Sequence, residues 1–316
     1  MRLSEKVFEF LKSRPDERFT ARDIANWIFE AYPEECREKQ SRSQAVVTRL
    51  DTDEALIQQL VAEIGAQRPG IERRWPDVKT TEERPRKYFF STKSDDDEVQ
   101  QVEEVGAPGQ ALHISPNKIS EYDLYPILSE YLFSEASILS KRIDEKRSKN
   151  SLGSMGNRWL HPDIVGLEVR NKHWDAETRE CVKVYGDKAT KLWSFEVKLL
   201  INRSNVRESF FQTVSNSAWA NYGYLVTEEI SGRGVLGELR VLSGRHGIGV
   251  IVLDAQNPSE SQVLIPAIER MDVDWDSIDR LVKENKDFKD FISSIRQYYQ
   301  TGIVRNEDWA PVTAEE

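Results

Sequence analysis

Cysteine, histidine and methionine are scarce in this chain: 2, 4 and 3 in 316 residues. Cys36 and Cys181 lie far apart, with no CxxC or Cys/His spacing around either, so neither a disulfide framework nor a structural zinc site is indicated. His113, His161, His173 and His246 lack the paired spacing of a metal-binding helix, and no local Ser/His/Asp grouping points to a nucleophilic hydrolase. No apolar run approaches a membrane span, and the N-terminal MRLSEKVFEFLKSR is charged and amphipathic, without the apolar centre of a signal peptide. A chain kept in a reducing cytoplasm, away from membranes, is the expectation. Positive charge is also short, with 44 Lys and Arg against 54 Asp and Glu, a net of −10. The average field repels nucleic acid, which excludes a histone-like binder and leaves any DNA contact to local basic patches.

An apolar content of 39% over this length is enough for two compact domains. Leu3, Val7, Phe8 and Leu11 have the spacing of one helical face, closed by Ser13-Arg14-Pro15-Asp16. Thr20 is a good N-cap for a second helix over 21–31, with Asp23 at the third helical position and Ile24, Trp27 and Ile28 facing inward. Residues 35–50 carry Arg37, Lys39, Arg42 and Arg49 around Ala45, Val46, Val47 and Leu50, the pattern of a third helix with a basic side; a further helix is expected over 54–64. Segments 71–75 and 86–90 read as two strands around a charged loop. Helices followed by a basic hairpin describe a winged helix-turn-helix domain over 1–90.

Residues 91–118 change in composition, with Ser94-Asp95-Asp96-Asp97-Glu98, Glu103-Glu104, Pro108 and Gly109 interrupting apolar periodicity; an acidic flexible linker is expected. The second domain, 119–305, opens with a buried helix over 120–139, then the polar segment 141–153. Strands follow at 163–169, 181–185 and 192–201, a helix at 205–220, a strand at 223–226, a helix at 235–242, and strands at 249–253 and 262–265. A closing helix over 276–299 and a tail at 306–316 complete an α/β (α+β) mixed-sheet pattern.

The chemistry concentrates in two places. Asp163 follows His161-Pro162, and 33 positions later the apolar run 192–201 carries Glu196 and Lys198. Strand side chains alternate, so Glu196 and Lys198 share one face while Phe195, Val197 and Leu199 share the other. A carboxylate and an ammonium in so apolar a segment are costly unless paired, hydrated or metal-bound. The bland alternative is a solvated edge-strand ion pair worth about 0–1 kcal/mol and without chemical meaning.

The order helix, strand with Asp, hairpin, strand with Glu-x-Lys, helix, strand resembles the core of the PD-(D/E)xK nuclease superfamily. The whole chain is similar to the restriction-associated bacterial family that joins a winged helix to such a domain, with 211–220 and 245–250 as further distinctive segments. The resemblance implies a Mg²⁺-dependent endonuclease, with Mn²⁺ as a substitute, hydrolysing a phosphodiester in double-stranded DNA in restriction or defence. It implies Asp163 and Glu196 as metal ligands and Lys198 as the residue that positions or activates the attacking water. Glu130, on the preceding helix, is a further implied metal ligand, and Gln212 a phosphate- or water-positioning residue; His161 is placed beside the metal. DNA contact falls to Arg42 and Arg49 on the third helix and to Arg73, Arg74, Arg84, Arg86 and Lys87 on the wing. A second basic run, Lys141, Arg142, Lys146, Arg147 and Lys149, precedes the Asp163 strand. Cleavage of two strands needs two sites, so a homodimer is expected.

Three rivals stand beside this reading. A DNA-binding regulator or adaptor would keep the fold without catalysis, and an RNA-cleaving enzyme or effector toxin would share the site. Gly232-Arg233-Gly234-Val235-Leu236-Gly237, with Asp254 17 residues on, matches a dinucleotide fingerprint, but Glu228 and Glu229 crowd its phosphate position and only 62 residues follow Asp254.

Overall fold

The computed structural model describes residues 2–42, 52–82, 84–105, 119–149, 151, 159–171, 174–185 and 189–310. Contacts divide the chain into two units, Met1–Glu98 with Ser231–Gly234, and Val99–Ile230 with Val235–Glu316.

In the first unit α1 (Leu3–Lys12) buries Leu3, Val7, Phe10 and Leu11. β1 (Phe19–Thr20) leads into α2 (Ala21–Ala31), whose start is fixed as the sequence predicts: Thr20 Oγ1 accepts from the Asp23 N–H while the Asp23 carboxylate takes the Thr20 N–H. α3 (Pro33–Arg42) and α4 (Asp53–Arg74) follow. The helix expected over 35–50 is described only as far as Arg42, and Arg49 lies outside the described residues.

α4 runs well past the expected end at 64 and absorbs the strand expected at 71–75. Leu56, Leu60, Ile64 and Ile71 form one buried stripe, and Pro69 sits on the exposed side, where water can satisfy the carbonyl left without its N–H partner. The strands are instead β2 (Val78–Thr80) and β3 (Lys87–Phe90), paired antiparallel with Val78 opposite Phe90; β3 also pairs with β1, giving the order β1-β3-β2. The expected linker is partly helical. α5 (Asp95–Val105) opens with a box in which Ser94 and Asp97 bond reciprocally, and its acidic first turn is held by Lys79, 2.9 Å from both Asp95 and Glu98.

The second unit is a six-stranded mixed sheet, order β4-β5-β6-β7-β8-β9. α6 (Glu121–Ala136) ends at Ser137, which takes a left-handed conformation, so Ile138–Arg142 is strand β4 where the sequence had implied helix and polar coil. β5 (Ile164–Val169) and β6 (Thr190–Ile201) are antiparallel, joined through α7 (Ala176–Tyr185), which replaces the strand expected at 181–185. α8 (Val206–Asn216), β7 (Tyr222–Ile230), α9 (Val235–His246) and β8 (Gly249–Val252) make two parallel crossovers, and β9 (Gln262–Ile265) closes the sheet antiparallel. The single closing helix is two, α10 (Trp275–Glu284) and α11 (Lys286–Thr301), broken at Asn285, whose side chain caps the second through the Phe288 N–H.

Alternation places the layers. Phe195, Val197 and Leu199 of β6, with Tyr224, Val226 and Ile251, pack against Leu124, Tyr125 and Leu128 of α6. On the opposite face Leu225, Val250 and Val252 pack with Phe210, Val235 and Leu239 of α8 and α9. The expected tail is in part core: Trp309 is 8% exposed, in edge-to-face contact with Phe291, and the Ala310 N–H bonds to the Ser140 carbonyl of β4. The connection Gly232–Gly234, with both glycines at positive φ, joins β7 to α9. Asp254, the ribose-binding position of a dinucleotide site, has its Oδ1 taken by the Gln256 and Asn257 N–H groups at 2.9 and 2.8 Å. Among the described residues no helix is long and apolar enough to cross a membrane.

Removing the Trp309 ring tests whether the C-terminal segment is structural. Trp309→Ala is expected to lower unfolding free energy by about 3–5 kcal/mol in denaturant titration; a change under about 1 kcal/mol would show that the segment is peripheral.

Candidate active site

β6 is twice as long as β5, and the site forms where the shorter strand stops. The ladder between them ends at Ile164 opposite Phe195, with the Asp163 N–H donating to the Phe195 carbonyl at 3.1 Å. Pro162, the preceding residue, has no N–H to continue the ladder. The next inward N–H on β6, that of Val197, is taken by the Asp163 side chain, Oδ2, at 2.7 Å. Asp163 thus completes the ladder with its carboxylate.

Glu196 and Lys198 flank Val197 on the other face of β6. Lys198 Nζ donates to Glu196 Oε1 at 2.8 Å and lies 4.0 Å from Glu121 Oε1 on α6. The second oxygen of Glu196, Oε2, accepts from Asn216 Nδ2 of α8 at 2.7 Å. The Tyr125 hydroxyl stands between two carboxylates, 3.4 Å from Asp163 Oδ1 and 3.5 Å from Glu121 Oε1. Asp163, Glu196 and Lys198, the three residues singled out in the sequence, are therefore neighbours.

Two other sequence expectations shift. Glu130 is exposed, and nine residues from Glu121 is two and a half turns, which puts it on the opposite side of α6, ~13 Å along the axis. The α6 carboxylate beside Lys198 is Glu121. Gln212 is half-buried one turn before Asn216, on the same face of α8, but the contact to Glu196 is made by Asn216. Glu121, Tyr125 and Asn216 were not singled out, although Glu121 lies in line with the buried Leu124, Tyr125 and Leu128 while Glu130 does not. His161 is turned elsewhere, with Nε2 2.9 Å from Ser148 Oγ, and burial lowers it to about 4, Glu284 opposing and Arg280 assisting. Its Nε2 is thus engaged by Ser148, while Nδ1 is buried without a hydrogen-bond partner among the described residues.

The electrostatics of the cluster are unbalanced. Burial, reinforced by the Asp163 charge, pushes Glu196 up to about 8, with Lys198 and Asn216 pulling the other way. Glu121 rises to about 7, again from burial, with Lys198 opposing and Asp163 and Glu103 adding. Burial would lower Lys198, but Glu196, Asp163 and Glu121 outweigh it and hold the ammonium above its usual range. Tyr125 is raised by burial and then by Asp163 and Glu121, so its hydroxyl keeps its proton. Three carboxyl groups share one cation, and a further positive charge would relieve them.

The donor set fits Mg²⁺ in its hydrated form. That ion favours oxygen and is held through one or two carboxylates plus waters, which Asp163 and Glu196 could supply. Among the described residues no three His, Cys, Asp or Glu side chains form a ready ligand cage, since Lys198 stands between Glu196 and Glu121. Asn216 Oδ1 is buried without a hydrogen-bond partner, a further polar atom beside Glu196.

α8 can deliver Asn216 only because it lies very close to β7. A Cβ on Gly223 would come within 2.2 Å of Ser217 Oγ and 2.9 Å of Ile248 Cδ1. Asn216 is also anchored through its carbonyl, which accepts from Ser194 Oγ at 3.1 Å and Trp219 Nε1 at 2.7 Å.

The predicted basic residues divide into engaged and open. Arg86 is bonded to the Thr81 carbonyl and Glu82, and Arg147 is paired with buried Asp287. Arg74 binds Glu5 at 3.1 Å and packs on Trp75. Arg73, Lys87 and Lys146 are exposed, and the side chain of Arg42 lies outside the described residues. A cavity of about 620 Å³, lined by Thr190, Trp275 and Tyr298, is separate from the cluster, since Thr190 is six residues, ~20 Å, along β6 from Glu196.

Comparison with family models, with curated proteins and with solved structures gave no match.

The raised carboxyls fix a sign for pH dependence. A carboxyl whose folded pKa lies above its unfolded value holds its proton longer in the folded chain, so stability falls as pH rises from about 4.5 through 8. In metal-free buffer the unfolding midpoint of Glu196→Gln should gain on that of the parent between pH 5 and 9, by an amount equivalent to a few kcal/mol. A difference that stays flat across this range would contradict the assignment.

Proposed function

We propose that the second unit is a metal-dependent phosphodiesterase, with DNA as the substrate, and that Asp163, Glu196 and Lys198 carry the reaction. The observation that supports it most is the meeting of those three side chains where β5 stops beside β6, with carboxyl groups outnumbering cations. Asp163 and Glu196 would hold Mg²⁺, and the ion when bound would polarise the scissile phosphate and acidify a water. Lys198, kept protonated by its neighbours, would orient the water or balance phosphate charge. Tyr125 and Asn216 hold the outer atoms of Asp163 and Glu196 in place.

Target binding is proposed for the first unit. Its order β1-β3-β2 and the helices before the hairpin support a winged-helix reading. In that reading α4, which directly precedes β2, is the recognition helix, with Arg73 at its end and Lys87 on the wing as phosphate contacts. A homodimer that cuts both strands, acting in restriction or defence, extends the same proposal.

One observation favours the regulator reading. Both Glu196 oxygens are already hydrogen-bonded and the residue is 1% exposed, so a metal has to displace or share Lys198. The two readings separate in plasmid cleavage with Mg²⁺, Mn²⁺ or chelator. The nuclease reading expects metal-dependent nicking that falls at least ~10²-fold in Asp163→Ala and Lys198→Ala. Mg²⁺ should also raise the unfolding midpoint of the parent and not of Asp163→Ala. Gel shift without cutting, together with a midpoint indifferent to Mg²⁺, would support the regulator; preferential cutting of RNA would reassign the substrate.

A further inference from the structure

The basic run before β5 contains one cation tied by a chain of contacts to the carboxyl cluster. Arg142 ends β4 directly opposite Ile164, the neighbour of Asp163. Its guanidinium lies 4.6 Å from the Tyr122 ring centroid and 5.0 Å from that of Tyr125. The two rings meet edge to face at 5.6 Å, and the Tyr125 hydroxyl is the one that reaches Asp163 at 3.4 Å. Rings and guanidinium form one wall at the mouth of the site.

The other cations of the run differ. Lys141 Nζ donates to the Asp308 carbonyl at 3.3 Å, and Arg147 is paired with Asp287. Lys146 and Lys149 are exposed and, among the described residues, neither lies over an aromatic ring. Arg142 is exposed, and no carboxylate among the described residues pairs with it; its link to Glu121 and Asp163 runs through Tyr125, whose hydroxyl reaches both. An arginine held against aromatic rings retains N–H donors, and the guanidinium fork matches a phosphate. Tyr122 is 39% exposed, an aromatic surface of the kind on which a sugar or base can rest. A phosphate approaching three carboxyl groups needs a compensating cation at the entrance, because Lys198 lies deeper and is held by Glu196.

We propose that Arg142, braced on Tyr122 and Tyr125, grips a backbone phosphate of the DNA strand beside the cleaved linkage, with the Tyr122 ring against the adjoining sugar or base. The contact rests on the nuclease reading for its purpose, and it can be measured without catalysis. Anisotropy of a labelled duplex bound to the full chain in chelator, repeated across a salt series, reads it. Arg142→Gln is expected to bind about tenfold more weakly, with a salt slope smaller by about 1, and with an unchanged unfolding midpoint. Tyr122→Ala should weaken binding several-fold while Tyr122→Phe restores it. In plasmid cleavage Arg142→Gln should raise KM with little change in kcat.

The outcomes are separable from those for the active site. A parent that never cuts, combined with weaker binding and a smaller slope in Arg142→Gln, would remove the nuclease reading and leave this contact standing. A parent that cuts, with Arg142→Gln matching it in affinity, slope and KM, would overturn the contact alone. A parent with no measurable affinity for duplex DNA, or an effect of Arg142→Gln on RNA only, overturns it as well.

Discussion

The hydrogen bond from the Val197 N–H to the Asp163 carboxylate is the point at which the sheet and the chemistry of the second unit meet. A strand that outlasts its neighbour leaves inward-pointing N–H groups that must find a partner, since an unpaired buried amide costs about 1–3 kcal/mol. Here the partner is a side chain rather than a backbone carbonyl. One Asp therefore ends the β5–β6 ladder and presents its other oxygen toward Tyr125 and α6. The site is where it is because β5 starts late at a proline.

That geometry gathers charge the interior does not readily hold. Glu196 is enclosed by Lys198 on one side and Asn216 on the other, so its ionised form is supported by two donors yet opposed by Asp163 and by the loss of water. A purely structural ion pair would carry matched charges. On the proposed reading, the excess of carboxyl groups around a buried lysine kept cationic would take up an additional cation and receive an anionic substrate. The Arg142 wall extends the same logic outward, providing a cation where the substrate would enter.

Much of the second unit was legible because its elements follow simple periods. β6 shows a long apolar run, 192–201, whose two charged residues share parity, and α8, α9 and β7 to β9 fall close to the spans their periodicity predicts. The failures have local causes. α4 passes through Pro69 because that residue faces water, and the stripe from Ile64 to Ile71 continues to be buried. Val182, Val184 and Tyr185 favour extended backbone and so predict a strand, yet the segment is the end of helix α7. Ile138–Arg142 reads as a continuation of α6 until the left-handed turn at Ser137, which nothing in its identity announces. In the site, the acid that α6 presents is Glu121, nine residues before Glu130. The buried stripe of that helix would have selected Glu121, whereas Asn216 depends on how closely α8 lies on the sheet, a distance no single sequence prints.

That closeness ties together positions that share no chemistry. Gly223 touches neither Asp163 nor Lys198, yet the lack of a side chain there is what lets Ser217, and the Asn216 beside it, sit down against β7. Divergence at 223 is thus constrained by the grip on a carboxylate carried by the neighbouring strand. Any lineage that enlarged this residue would have to rebuild the whole end of α8 before Glu196 regained its second donor.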